Sequence, residues 1–298
     1  MSETLGFFAL LMSNGILIGL MYSLIALGFV LVYKATDAIN FAQGEFVMIA
    51  GFVVVASLLS YKAPLWLAIV IGLLAMIGFG FGLERVMLRK LIGRPIIAVV
   101  MATIGLASIL RGVGPTFLGA GTKTLPLPIS DEPFVLGPLF IPPIQLLGAG
   151  VSLVFLTGFG WFFLKSRKGI AMRAVADNQQ VAMAMGINVE RYFALAWAMT
   201  GVVSALGGII WGSLLGVDVH LSLVGFKVFP VVILGGLDSV PGAIVGGLIV
   251  GIVENVAAGY VDPYVGGGTK DFAPYVLMIL ALMIRPYGMF GKRIIERI

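Results

Sequence analysis

Apolar residues fall in long blocks along this chain, and polar residues collect in short stretches between them. A bilayer core about 30 Å thick takes about 20 apolar residues per helix. Blocks of that kind occupy 7–32, 41–60, 64–83, 96–118, 143–164, 192–215, 241–260 and 272–284. A ninth, near 221–237, carries Lys227 and Pro230 and ends in Gly235-Gly236. The first block exceeds the need of one crossing, so it is either tilted or broken near Ser13-Asn14-Gly15. The pattern predicts an all-α, polytopic membrane protein with about 8–9 transmembrane helices, forming a single transmembrane domain over 1–298.

Composition agrees. The chain is 60% hydrophobic and 11% charged, with mean hydropathy +1.10. Soluble domains carry about 25% charged residues, and half that number cannot cover a soluble globule. Forty-one glycines without a three-residue period suit closely packed membrane helices. The pairs Gly15/Gly19, Gly78/Gly82, Gly242/Gly246 and Gly247/Gly251 are expected to pack helices within the chain. Without cysteine there is no disulfide, thiolate metal site or thiol catalysis, and one histidine, His220, excludes two-His motifs. No metal site and no catalytic set are expected, and an intramembrane enzyme lacks its nucleophile and base. The N-terminus, Met1-Ser2-Glu3, has no basic region of the kind that opens a cleavable signal.

The net charge of +5 would suit nucleic acid, but the basic residues cluster between apolar blocks, as in cytoplasmic loops. The 84–95 loop holds Arg85, Arg89, Lys90 and Arg94; the 165–191 segment holds Lys165, Arg167, Lys168, Arg173 and Arg191. The tail adds Arg285, Lys292, Arg293 and Arg297, making thirteen of nineteen basic residues. The Pro- and Gly-rich 119–142 loop, with Asp131, Glu132 and only Lys123, then faces outward. Nine crossings, with the N-terminus out and the C-terminus in, satisfy that count.

No phosphate-binding loop is present: Gly291-Lys292-Arg293 lacks both the upstream glycine and a following Ser or Thr. Ionisable residues in or beside the apolar blocks are Asp37, Glu45, Arg111, Asp218, His220, Lys227, Asp238 and Glu254. Most sit near block ends, where an interfacial position suffices; Arg111 and Glu254 do not. Asn40 and Gln43 have the spacing of a helix cap and capping box, and Glu45 follows at once. Segments 36–44 and 235–242 both set polar residues and glycine between apolar runs, either as ordinary turns or as paired, interrupted path segments. Asn40, Gln43, Glu45, Asp238 and Glu254 are therefore candidates for a translocation path. In the 165–191 segment, Asp177 and Gln180 read as the cap of a short helix that Gly186 ends. That helix would present Val181, Ala182, Ala184 and Met185, lying either on the bilayer surface or in a groove on a partner protein.

The stretches MYSLIALGF at 21–29, INFAQGE at 39–45, GIAMRA at 169–174, AMAMGI at 182–187 and LGGLDSVPG at 234–242 occur in an order that resembles permease subunits of branched-chain amino acid ABC importers, the LivH type. The resemblance covers nearly the whole chain. It implies a transport subunit, not an enzyme, in the bacterial cytoplasmic (inner) membrane. Its partners would be a second homologous permease, two ATP-binding subunits and an extracytoplasmic binding protein, with ATP and Mg held by the ATP-binding subunits and no cofactor here. The 165–191 segment would be the loop that docks on the ATPase, placing that role on Arg173, Ala174, Asp177, Ala182, Ala184, Met185 and Gly186. Gln43 stands where the family commonly has His. Relatives also import urea, short amides and aromatic acids, so the resemblance leaves the cargo open. The competing class is a stand-alone transporter or channel that uses Glu45 and Glu254 for ion coupling.

Overall fold

The computed structural model describes residues 2–91, 94–119, 121–130 and 132–291. Eleven α-helices follow in chain order: α1 (Ser2–Thr36), α2 (Gln43–Leu59), α3 (Leu65–Val86), α4 (Ile96–Leu118), α5 (Pro143–Lys165), α6 (Arg167–Asp177), α7 (Gln179–Ala184), α8 (Val189–Leu215), α9 (Leu223–Gly235), α10 (Val240–Val265) and α11 (Thr269–Ile284). All nine predicted apolar blocks are helical. Six helices are long and apolar enough to cross a membrane unaided, while α2 and α9 are shorter apolar helices. With 13 residues α9 is only about 20 Å long, and it stays helical through Pro230.

The first block is not broken near Ser13-Asn14-Gly15; α1 is one helix of 35 residues. Ser13 Oγ donates to the Leu10 carbonyl within the helix, so its hydroxyl needs no break. The 119–142 loop contains a two-stranded hairpin, β1 (Phe134–Leu136) with β2 (Leu139–Ile141), that the apolar pattern did not predict. Gly137 turns it at φ +62°, the backbone a tight hairpin asks of its first turn residue.

The chain divides into two compact units. One comprises 1–30, 128–155 and 227–298; the other comprises 31–127 and 156–226. In the first unit, α1 meets α10 along two glycine pairs. A Cβ on Gly19 would lie 2.7 Å from the Gly247 carbonyl oxygen, and one on Gly251 would lie 2.4 Å from that of Gly15. Ser23 Oγ donates to the carbonyls of Gly19 (2.8 Å) and Ile244 (3.2 Å) across the same seam. The intrachain packing expected of these pairs is what they do, whereas Gly78 and Gly82 have nothing within 4 Å.

In the second unit, α2, α3 and α8 enclose a core that includes Phe46, Met76, Trp197 and Ala205. Phe46 meets Phe79 edge-on at 5.0 Å between ring centroids. Gly80 lies against the Trp197 carbonyl and Gly201 against that of Met76, so α3 and α8 run backbone to backbone. Arg89 closes this unit's basic end. Its Nε and Nη2 donate to the two carboxylate oxygens of buried Glu84 at 3.1 and 3.0 Å, and its Nη1 lies 3.0 Å from Glu190.

Candidate functional site

Between α1 and α2 the backbone is irregular yet buried, so its polar groups need partners inside the protein. Asn40 supplies one of them, and ties a second side chain into the same turn. Its Oδ1 accepts from the Ala42 N–H at 3.1 Å, and its Nδ2 donates to Gln43 Oε1 at 3.3 Å. The Phe41 N–H donates to Thr103 Oγ1 on α4, and Gln43 Nε2 donates to Ser204 Oγ on α8 at 3.1 Å. This corrects the capping box. The residue flanking α2 is Ala42, with no side-chain cap, and Asn40 and Gln43 spend their polar groups on each other and on neighbouring elements. Both are wholly buried.

Glu45 follows in the first turn of α2, where the helix dipole favours a carboxylate. Its Oε1 accepts from Arg111 Nε on α4 at 2.6 Å. The Glu45 side chain is 1% exposed and that of Arg111 is 41% exposed. The same guanidinium lies 5.8 Å over the Phe226 ring. Gly44 permits this crowding, since a Cβ there would stand 2.0 Å from the Ser222 carbonyl oxygen. Three of the five path candidates, Asn40, Gln43 and Glu45, thus form one buried polar centre. Sequence reasoning flagged Arg111 as an embedded charge but left it unpaired, and it missed Thr103 and Ser204. Both look like ordinary small residues within apolar blocks, and no local pattern distinguishes them.

Glu254 belongs to the other unit. It is buried near the middle of α10, with Lys227 Nζ of α9 3.7 Å from its Oε1; that ammonium also lies 2.8 Å from Asp271 Oδ1 on α11. Lys227, which interrupts an apolar block in the sequence, brings a positive charge to two acids. Asp238 is in the α9–α10 turn, some 21 Å along α10 from Glu254 at 1.5 Å per residue. These two candidates do not form a joint site.

The 165–191 segment folds as two helices. Ser166 caps α6 by accepting from the Gly169 N–H, and Met172 and Val175 bury its inner face. The cap of α7 is Asn178, whose Oδ1 accepts from the Val181 N–H at 3.0 Å; Asp177, expected there, is instead the last residue of α6. Gly186, at φ +81°, follows the end of α7 as expected. Ala182 is a second correction: it is buried against its own chain. The surface of α7 is made by Val181, Met183 and Met185, with Ala184 and Gly186 also exposed. Gln179 Nε2 donates to the Ala35 carbonyl and so ties α7 to the end of α1. Arg173 is turned back, donating from Nη2 to the Leu164 carbonyl and lying over the Phe163 ring. Ala174 is half-buried on α6.

A family model described as branched-chain amino acid transport system / permease component matches residues 11–284. The LivH permease protein of a high-affinity branched-chain amino acid transport system from Escherichia coli strain K12 is 30% identical, over 100% of both chains. The corresponding BraD protein of Pseudomonas aeruginosa is also 30% identical, over 96% of each. A probable LivH permease of Methanocaldococcus jannaschii is 29% identical, over 90% of this chain and 88% of its own.

Proposed function

Because this chain belongs to the permease component family of branched-chain amino acid transport systems, we propose that it moves a branched-chain aliphatic amino acid across the cytoplasmic membrane. It is a multi-pass transport subunit of an ABC transporter. In the proposed assembly it works, over its whole length, as one domain. It pairs with a second homologous permease, two ATP-binding subunits that hold ATP and Mg, and an extracytoplasmic binding protein that delivers the solute. Residues 119–142 face outward and 165–191 face the cytoplasm.

The observation that supports coupling to an ATPase is α7. A six-residue helix exposes Val181, Met183 and Met185, yet is held by its Asn178 cap and by the Gln179 bond to α1. Flexible methionines adapt to a groove on a partner, and the bond to α1 gives movement of α7 a route into a membrane-length helix. Ala182 anchors this element from within and Arg173 holds the neighbouring α6 to the end of α5, while Met183, Ala184, Met185 and Gly186 form the docking surface. Asn40, Gln43 and Glu45 border the path.

The test is uptake of radiolabelled leucine, isoleucine and valine into proteoliposomes holding the complete assembly. Uptake that requires both ATP and the binding protein is the expected result. Uptake driven by a proton or sodium gradient without ATP would instead make the protein an ion-coupled transporter.

A further inference from the structure

Arg111 presents a physical problem that the Glu45 pair does not solve. Fifteen residues, about 22 Å, separate it from the start of α4, and about 10 Å from the end. Its partner Glu45 lies fourteen residues, about 21 Å, from the end of α2 at Leu59. The bond to Glu45 holds the guanidinium at that depth, so it cannot reach up to the headgroups. Yet 41% of the side chain is exposed. A cation at such depth faces protein or water, not lipid.

The surface around it is mixed, with small and polar residues on the C-terminal side of Arg111 and apolar ones two turns before it. Thr103, Ala107, Leu110 and Gly114 form the buried face of α4; Ile104 and Met101 are exposed two turns before Arg111 and Ser108, and Ile109 and Val113 are exposed further round the helix. On the flank shared with Arg111 stand Ser108, Gly112 and Thr116, all exposed. Ser108 and Thr116 turn their hydroxyls onto carbonyls of their own helix, Ile104 and Gly112, and nothing lies within 4 Å of a Cβ on Gly112. Only Nε of Arg111 is engaged by Glu45, and the guanidinium carbon lies 5.8 Å from the centre of the Phe226 ring.

We propose that Arg111 is a substrate-binding residue of the translocation path, its free guanidinium edge receiving the carboxylate of an amino acid while Glu45 orients it. This rests on the transport reading above and adds the chemical group that is read inside the membrane. A guanidinium suits the role because its planar fork matches a carboxylate. Glu45 keeps the fork aimed and offsets its charge, so that the bound carboxylate can leave again. Gly112 and Ser108 leave room for the backbone of the solute, and Phe226 offers an apolar surface to its side chain.

The chain has no cysteine, which allows a direct test in the complete assembly. Arg111→Ala should reduce uptake of carboxylate substrates by about tenfold to a hundredfold, the size of one charge-assisted hydrogen bond, with binding-protein-stimulated ATP hydrolysis retained. In Arg111→Cys, a small cationic thiol reagent should restore a substantial part of uptake, and an anionic reagent of the same size should not. Gly112→Cys keeps the Arg111–Glu45 pair intact, so it tests the wet face without risk to folding. It should react with membrane-impermeant reagents and be protected by substrate. Normal uptake by Arg111→Ala, equal effects of the two reagents, or no reaction at Gly112→Cys would each overturn the proposal. The transport reading fails separately, by absence of ATP-dependent uptake in the unsubstituted protein, and the reaction at Gly112→Cys still reports whether that face is wet.

Discussion

At the scale of single residues, the buried acids among the described residues have cationic partners, Arg111 for Glu45, Arg89 for Glu84 and Lys227 for Glu254, and Glu45 has a helix N-terminus as well. Glu45→Gln should therefore impair uptake while leaving insertion intact. It keeps a hydrogen-bond acceptor for Arg111 but removes the counter-charge that holds the guanidinium in place. Normal transport by both Glu45→Gln and Gln43→Ala would reduce this centre to a structural junction. Asp218, outside the spans, makes a prediction about pH. Burial raises its carboxyl, but hydrogen bonds from Thr122 Oγ1 and the His220 N–H outweigh that, leaving it below the usual carboxylate range. A depressed folded-state pKa contributes stability that is present above the unfolded value, about 3.9. That stability is lost as pH falls through the folded value. The junction of 121–123 with 217–220 should therefore loosen only in strong acid, seen as faster amide exchange there, and Asp218→Asn should remove that pH dependence.

Among elements, the glycine seams decide which helices can touch. Gly19→Val would drive a side chain into the Gly247 carbonyl, where no rotamer can relieve it. A loss of about 1–3 kcal/mol, the usual cost of overpacking, is expected, read as a lower melting temperature in detergent. Gly78→Ala should be tolerated in the isolated chain, because nothing lies within 4 Å of the added carbon. Similar melting temperatures for the two variants would show that the α1–α10 seam is looser than described. For α7, the informative substitution is Ala184→Glu rather than Ala182→Glu. Ala184 is exposed and its change should break co-purification with the ATPase without harming insertion. Ala182 is buried, and a charge there would disrupt the chain's own packing.

On the scale of the whole molecule, α4 and α5, each long and apolar enough to cross a membrane, separate the 84–95 and 165–191 segments, so the proposed topology puts those two segments on the same side. A cysteine at Met185, 77% exposed, should react only with reagents admitted to the cytoplasm, and one at Phe140 in the hairpin with impermeant reagents outside. Labelling at Met185 from outside intact cells would invert the topology. Lys292, Arg293 and Arg297 lie outside the described residues, as does Asp131, so Met185 and Phe140 carry the test. Membership of the permease family, the membrane setting and the nine apolar helices could all be read from the residues. In a bilayer every backbone group must be satisfied within the segment, so a long apolar block has little choice but to be a helix. Gly186 was legible as a stop for the same local reason, since it alone there accepts positive φ cheaply. Which polar residue meets which was not legible. Glu45 and Arg111 are sixty-six positions apart, and Lys227 and Glu254 sit on different helices. Asn178 took the cap from Asp177, and Ala182 turned inward, because α6 runs on to Asp177 and α7 packs against its own chain. Periodicity carries the face a helix presents but not the neighbour it meets; that was decided by tertiary packing, as where Gly208 of α8 lies against the α2 backbone at Val47 and Gly51 and Gly44 against Ser222 and Gly225.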